Sequence, residues 1–274
     1  MSLLDYLKTV SLGDITYSRI NRVFSDRLSE FPNNMSWFFS NEAKKFKKKL
    51  LKFKNIHNGK RCFIIANGPS LNKMDLIPLK NELTIAMNRG YLFNELYGFH
   101  PTYLASIDIV NQLAQFKDEY QNLDIPCFYN WNFRKELVKK NNIHFIKLNH
   151  RHKFEEDILQ GIWFGHSVTF SCIALAYYMG FHEVILIGKD HNFNIDGNPK
   201  KKIISGEVDQ NHFSSTYYKK GMKWDLPDYK GEELAYKYAK EYYEKNGRKI
   251  YDATLGGKLQ VFDKIDFKKI FLSN

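Results

Sequence analysis

Beyond residue 60 the chain alternates short apolar runs with longer amphipathic or apolar stretches, the pattern that βαβ units make when parallel strands are covered on both faces. The runs that predict strands are Cys62 to Ala66, Leu83 to Met87, Tyr103 to Ile107, Cys127 to Tyr129, His144 to Leu148, Val184 to Gly188 and Lys249 to Tyr251. Ser167 to Tyr178 is small and apolar nearly all round, which predicts a buried helix. Glu232 to Lys245 places Leu234, Tyr238 and Tyr242 at four-residue spacing and predicts a more exposed one. Before residue 60 no period-two pattern occurs. There Phe46, Leu50 and Phe53 fall on one face of a lysine-rich run from Glu42 to Lys54, a basic amphipathic helix, and Asn55 to Lys60 reads as a linker. The predicted fold is α/β. A Rossmann-like, largely parallel sheet flanked by helices occupies 59–274, a helical amino-terminal extension occupies 1–58, and a long lid-like loop, rich in Gly, Lys, Ser and Tyr, runs over 196–228.

Charge narrows the partner. The chain has 274 residues and a formal net charge of +11, so an anionic ligand or surface is implied, whether nucleotide, acidic sugar, lipid or nucleic acid. The lysines of 44–54 make a peripheral contact with an anionic membrane one reading of that helix, and a solvated helix packed on the core the other. No eighteen-residue apolar window and no export signal is present, so a cytoplasmic chain, peripheral at most at the inner face of a membrane, is the expectation. Cys62, Cys127 and Cys172 lie far apart beside apolar neighbours and read as buried free thiols.

Candidate chemistry gathers at predicted strand ends. Asn67-Gly68-Pro69-Ser70 follows the first strand. Gly68 admits a close backbone approach, Pro69 fixes φ, and Ser70 can cap the expected following helix or bond a phosphate. Asn88-Arg89 follows the second strand, an amide for ribose or phosphate beside a guanidinium fork, and Asp108 follows the third. Gly165, His166 and Ser167 precede the buried helix and would present amides and hydroxyls to an anion. Asp190 and His191 follow the strand after it. As neighbours on an extended chain they should point to opposite sides, one to the site and one to the scaffold. His212, in the long loop, lacks a core role and is a candidate general base. Asp225 and Asp228 flank Pro227 before the last helix, as caps.

In order, the stretches Ile64 to Leu71, Met87-Asn88-Arg89, Ser167 to Asp190 and Tyr251 to Gly257 resemble two related groups. One is the bacterial lipooligosaccharide sialyltransferases with the motility accessory factors that share their core; the other is the hydroxymethylpterin diphosphokinase (MptE)-like family. The resemblance covers about Arg61 to Phe262. It implies that Asn67, Gly68, Ser70 and Asn88 hold the cytidine monophosphate part of a CMP-sugar donor. It also implies that Gly165, His166 and Ser167 contact the donor's sugar and phosphate, and that a lid histidine and lid tyrosines, here His212, Tyr217 and Tyr218, serve as base and assist phosphate departure. The implied activity is glycosyl transfer of a sialic-acid-like sugar to a glycan or lipid-linked glycan acceptor, with no cofactor required. Self-association is left open. Two alternatives stand beside it. One is magnesium-dependent pyrophosphate transfer to a pterin, with Asp108 and Asp190 near the metal, towards which His191 after Asp190 leans. The other is a basic module that binds nucleic acid or a membrane surface, against which the absence of a nucleic-acid reading motif weighs.

Overall fold

The computed structural model describes residues 31–193 and 197–272. The predicted extension before residue 31 and the first residue of the predicted lid lie outside them. The chain divides into two units, Met1–Lys45 and Phe46–Asn274. In its described part the first contains a helix at 31–39 and opens the helix Asn41–Leu51, where Ser40 Oγ accepts a hydrogen bond from the Ala43 amide at 3.0 Å.

The second unit is built on an eight-stranded sheet in which every pairing is parallel. Its strands are β1 (Arg61–Ile65), β2 (Thr84–Met87), β3 (Tyr103–Ser106), β4 (Cys127–Asn130), β5 (Ile143–Ile146), β8 (Glu183–Ile187), β11 (Lys249–Asp252) and β12 (Asp263–Lys264). The two-residue strands β6 (Leu148–Asn149) and β7 (Ile162–Trp163) pair with each other, as do β9 (Lys202–Ile204) and β10 (Lys223–Asp225). The sheet order is β12-β11-β8-β1-β2-β3-β4-β5. Strands added after β1 run outward on one side as far as β5, and then the chain returns to place β8 on β1's other side. That reversal opens a crevice at the carboxyl ends of β1 and β8, the position at which doubly wound sheets bind ligands.

The central strands are buried on both faces, which is why they read as continuous apolar runs. The helix Val168–Tyr178 is buried over all but its first residue, and Ser167 caps it by accepting from the Phe170 amide at 3.4 Å. In the helix Tyr229–Lys245 the buried face is Glu232, Ala235, Tyr236, Ala239 and Tyr243, whereas Leu234, Tyr238 and Tyr242 flank it half-buried. The three cysteines are buried free thiols. Among the described residues no helix is long and apolar enough to cross a membrane.

Three local expectations change. Gly68-Pro69-Ser70 leads into the short 3-10 turn Pro69–Lys73, not an α-helix, because Ser70 is drawn into a side-chain contact described below. The stretch 55–60 is no free linker. Its Asn55, His57 and Gly59 amides donate to the Tyr178, Met179 and Gly180 carbonyls at 3.0, 2.9 and 3.2 Å, capping the end of the buried helix. The long loop carries the β9–β10 ribbon, which its composition concealed.

The apolar stripe of the basic helix is used internally. Phe46 and Leu50 are buried, with Phe46 edge-on to Phe145 and Trp131 at centroid distances of 5.0 and 6.0 Å. Phe53 packs edge-on against Phe128 at 5.1 Å and His144 at 4.7 Å. His144 is thus a basic side chain inside an aromatic cluster, and its Nδ1 has no hydrogen-bond partner. Burial, reinforced by Lys49 and Lys52, pushes its pKa down from 6.5 to about 4. A histidine held neutral in the fold binds its proton only in the unfolded chain between those values. Stability is therefore complete above pH 6.5 and is lost as the pH falls towards 4. Urea unfolding across that interval should show the native chain losing about 3 kcal/mol more than H144F; parallel profiles would refute the assignment.

Candidate functional site

The tips of β1, β2, β3 and β8 converge on a cavity of about 370 Å³. Its floor is made by Asn67 and Gly68 after β1, Asn88 after β2, Asp108 after β3 and Gly188 to Phe193 after β8; His166, Ser167 and Thr169 form a second wall. The long loop closes it with Asn211, His212, Tyr218, Trp224 and Asp225, and Asp228, Tyr229 and Glu232 follow from the last helix.

Asp190 binds the first wall together. Its Oδ2 accepts from the Ser70 amide at 3.0 Å, and its Oδ1 accepts from the Ser70 hydroxyl. The Gly68 amide donates to the Gly188 carbonyl at 2.8 Å. A Cβ on Gly68 would come within 2.5 Å of the Asp190 carboxyl carbon and 2.6 Å of the Gly188 oxygen, so glycine is required there by proximity. His191 does not point away from Asp190's side as an extended chain would require. Its φ of +55° turns it into the same cavity, with Nε2 at 3.0 Å from Glu233 and Nδ1 at 3.5 Å from Glu232.

Beneath that turn lies a buried ion pair, Lys189 Nζ to Glu232 Oε2 at 2.7 Å. Burial would lower the Lys189 ammonium, but Glu232 outweighs it and holds the lysine above its ordinary value. Burial likewise works to raise the Glu232 carboxyl, and Lys189 with His191 more than reverses this. Tyr236, on the same helix, shares its hydroxyl with Ser167 at 2.8 Å.

Two histidine–aspartate pairs face the cavity. In the loop, His212 Nδ1 lies 2.8 Å from Asp209 Oδ2, and the imidazole stacks on Tyr217 with centroids 4.0 Å apart and planes 3° from parallel. An ionised carboxylate only accepts, so Nδ1 carries a proton towards Asp209 and Nε2 is the ring nitrogen left for other chemistry. Burial works to raise the Asp209 carboxyl. The bond from His212, with the amides of Asn211 and Tyr218, outweighs that and holds it below its ordinary value. On the opposite wall His166 Nδ1 lies 3.0 Å from Asp228 Oδ2, while Asp228 Oδ1 caps the last helix by accepting from Gly231 at 3.0 Å. Burial depresses the His166 pKa, with Asp228 opposing. Gly231 allows this contact, since a Cβ there would lie 2.4 Å from His166 Nδ1.

Of the residues singled out from sequence, Asn67, Gly68, Asn88, Asp108, His166, Ser167, Asp190, His212 and Tyr218 line the cavity; Pro69, Ser70, Arg89, Gly165 and Tyr217 do not. Ser70 is occupied by Asp190. Arg89 is a correction: it is buried, donates to the Thr216 carbonyl at 2.9 Å and the Tyr217 carbonyl, and lies over Phe116 at 4.2 Å. Its fork anchors the loop instead of lining the cavity. The left-handed φ of +50° at Asn88 breaks the strand's alternation and swings Arg89 underneath. Tyr217 is likewise corrected. Its hydroxyl accepts from the Arg89 amide at 3.4 Å, in the interior, and burial raises its pKa. It backs the His212 ring.

Asn111 carried no signal in the sequence. Its Nδ2 donates to Asp108 at 2.8 Å and Asp225 at 3.1 Å, which fixes the amide's orientation. Its buried Oδ1 has no partner, as is also true of Asn67 Oδ1. Both residues line the cavity, and unsatisfied buried acceptors are uncommon enough to mark this border of it. Among the described residues, the non-glycine residues in the left-handed region are Asn55, Asn88, His166, His191 and Lys200; all but Asn55 line the cavity, a concentration of backbone strain found at functional sites.

The family model described as 6-hydroxymethylpterin diphosphokinase MptE-like matches residues 33–196. The chain belongs to this family. A comparison with curated proteins finds no match. Among solved structures this MptE-like chain is similar to the MAf glycosyltransferase of Magnetospirillum magneticum AMB-1, with 14% identity and a TM-score of 0.49, over 81% of this chain and 38% of that one. It thus spans well under half the length of that protein. It is also similar to a mammalian sialyltransferase solved with Gal-beta-1-3GalNAc-ortho-nitrophenol, with 11% identity and a TM-score of 0.41, over 80% of both chains.

The Lys189–Glu232 pair joins the turn after β8 to the last helix. Replacing Glu232→Gln leaves a buried ammonium unpaired and should cost about 3–5 kcal/mol in urea unfolding, while K189M/E232Q recovers much of the loss. A single variant as stable as the parent would show that the pair is not a clasp.

Proposed function

We propose that this MptE-like chain is a glycosyltransferase that moves a sugar from a CMP-linked donor, a sialic-acid-like acid sugar, to a glycan or lipid-linked glycan acceptor. The observation that carries the reading is the His212–Asp209 pair, held 2.8 Å apart on the wall of a cavity that the sheet-end residues Asn67 and Asn88 also line. An imidazole braced by a carboxylate and a stacked ring is built to take a proton through Nε2. The acceptor hydroxyl gives that proton to His212 as its oxygen bonds the anomeric carbon. The bond from that carbon to the phosphate oxygen breaks, and CMP leaves with the electron pair. Ser167 and Lys200 border the same space and are suited to the departing phosphate. Asn67 and Asn111, with their unpartnered carbonyl oxygens, are suited to accept from hydroxyl or amino groups of the donor.

The family's description favours a second reading, pyrophosphate transfer with magnesium. The carboxylates that would hold the ion also serve as acceptors for the scaffold, with a further lone pair left on each oxygen. Both Asp190 oxygens accept from Ser70, both Asp108 oxygens accept from Asn111, and Asp225 is paired with Lys202 at 2.8 Å. Among the described residues, no three His, Cys, Asp or Glu side chains gather as a metal site. Asp108 and Asp190 would hold the ion together with the substrate's phosphates, whose charge it would neutralise.

A thermal-shift series with CMP, CDP, ADP, ATP, UDP and GDP, each with and without magnesium, tests the reading, because a ligand that binds only the native state raises Tm. CMP should raise Tm without the metal. H212A should keep that shift while release of CMP from CMP-N-acetylneuraminate falls about 10²–10⁴-fold. A response confined to ATP with magnesium would replace this reading with the second.

A further inference from the structure

We propose that the outer face of the β9–β10 ribbon is the surface by which this chain meets an anionic lipid bilayer. In the ribbon's register Ile204 lies opposite Lys223, Ile203 opposite Trp224 and Lys202 opposite Asp225. Side chains alternate between faces, so Lys202, Ile204, Lys223 and Asp225 share one face and Ile203 and Trp224 the other. Trp224 is buried, so its face is the inner one. On the outer side Ile204 is 67% exposed and Val208 60% exposed, and both border one depression of about 160 Å³. Val110, 63% exposed, is carried beside them, because Gln115 Nε2 donates both to the Val110 carbonyl at 3.2 Å and to the Lys223 carbonyl at 2.8 Å.

The cations around these aliphatic tips are all of one kind and outnumber the carboxylates. Residues 200–225 contain Lys200, Lys201, Lys202, Lys219, Lys220 and Lys223 and no arginine. Of the three carboxylates in that stretch, Asp209 faces His212 in the interior, Asp225 pairs with Lys202, and Glu207 forms an exposed pair with Lys220. Protein interfaces favour arginine and aromatic residues and deplete lysine. An anionic bilayer has no such preference and attracts each nearby lysine, while protruding aliphatics enter the acyl boundary. A lysine-rich face without arginine and with exposed Ile and Val tips therefore fits a membrane. The helix Asn41–Leu51 turns Phe46 and Leu50 into the core and offers a single exposed aliphatic tip, Leu51.

The placement matters for the acceptor, a point that rests on the transfer reading although the binding itself does not. The depression includes Asp209 and shares Asn211 and Trp224 with the main cavity. A bilayer on this face lies next to the residue that braces His212, so the acceptor class implied is a glycan on an anionic lipid, delivered from the membrane side.

Sedimentation of the full chain with phosphatidylcholine vesicles, with and without phosphatidylglycerol, tests the surface. Binding should require phosphatidylglycerol and weaken with salt. I204S/V208S should lower the partition coefficient about tenfold, and K219Q/K223Q about twentyfold. K48Q/K52Q/K54Q should have a smaller effect than either. Absence of binding to the anionic vesicles overturns the proposal, as does a loss that follows the 48, 52 and 54 set while the ribbon variants bind like the parent. The CMP-induced Tm shift, measured on the same variants, should be unchanged. Vesicle binding without any CMP response in the parent would leave the surface standing and remove the transfer reading.

Discussion

The carboxylate of Asp190 grips both the amide and the hydroxyl of Ser70, and the shape of the cavity depends on this bond. β1 and β8 are neighbours in the sheet, but they are separated by more than a hundred residues of chain and by the reversal of strand order. The strand ladder ends at Ile65 and Ile187, and the Ala66 and Gly68 amides extend it by donating to the Ile187 and Gly188 carbonyls at 2.9 and 2.8 Å. Beyond it, Asp190 keeps the two chain segments together and forces the turn after β1 into a tight 3-10 form. Lys258 then donates to the Asp190 carbonyl at 2.9 Å, so the segment after β11 supports the same turn from behind. A carboxylate that satisfies two donors in a half-buried setting is a stronger tie than a neutral side chain would be.

The long loop is held by comparable means. Asn72 donates to the Phe213 carbonyl at 2.9 Å, and the Phe213 amide donates to the Asn67 carbonyl at 2.9 Å. Arg89 fastens Thr216 and Tyr217 from below, and Gln112 fastens the Tyr218 hydroxyl. These polar contacts are spaced between the loop's buried aromatic side chains Phe213, Tyr217, Tyr218 and Trp224. They place His212 against Tyr217 on a stacked surface, so the imidazole is oriented from two directions, by the plane of the ring behind it and by the carboxylate beside it.

Sequence was most informative where burial is two-sided. The strands around β1 and β8 read as apolar runs because both faces are covered, and a series of parallel strands necessarily brings its polar tips to one edge; Asn67, Asn88 and Asp108 were legible for that reason. The direction of a side chain just past a strand end is a different matter. It is decided by the φ of one residue, and nothing in Asn88-Arg89 announces that Asn88 adopts +50° and turns Arg89 inward. Tyr217 and Tyr218 are adjacent and chemically equal, yet only Tyr218 reaches the cavity. The β9–β10 ribbon was hidden because its strands are three residues each, too short for a period to register. Asn111 was invisible because its role comes from two carboxylates brought to it by distant segments.

The left-handed residues around the cavity carry a wider consequence. Asn88, His166, His191 and Lys200 each hold a conformation that disfavours side chains, at about 1–2 kcal/mol apiece. Glycine at any of them would relax the chain. Random mutagenesis screened for heat tolerance alone would thus drift towards glycine at the cavity's border, and the proteins it enriched would survive boiling better while their pockets lost the groups that give them a purpose.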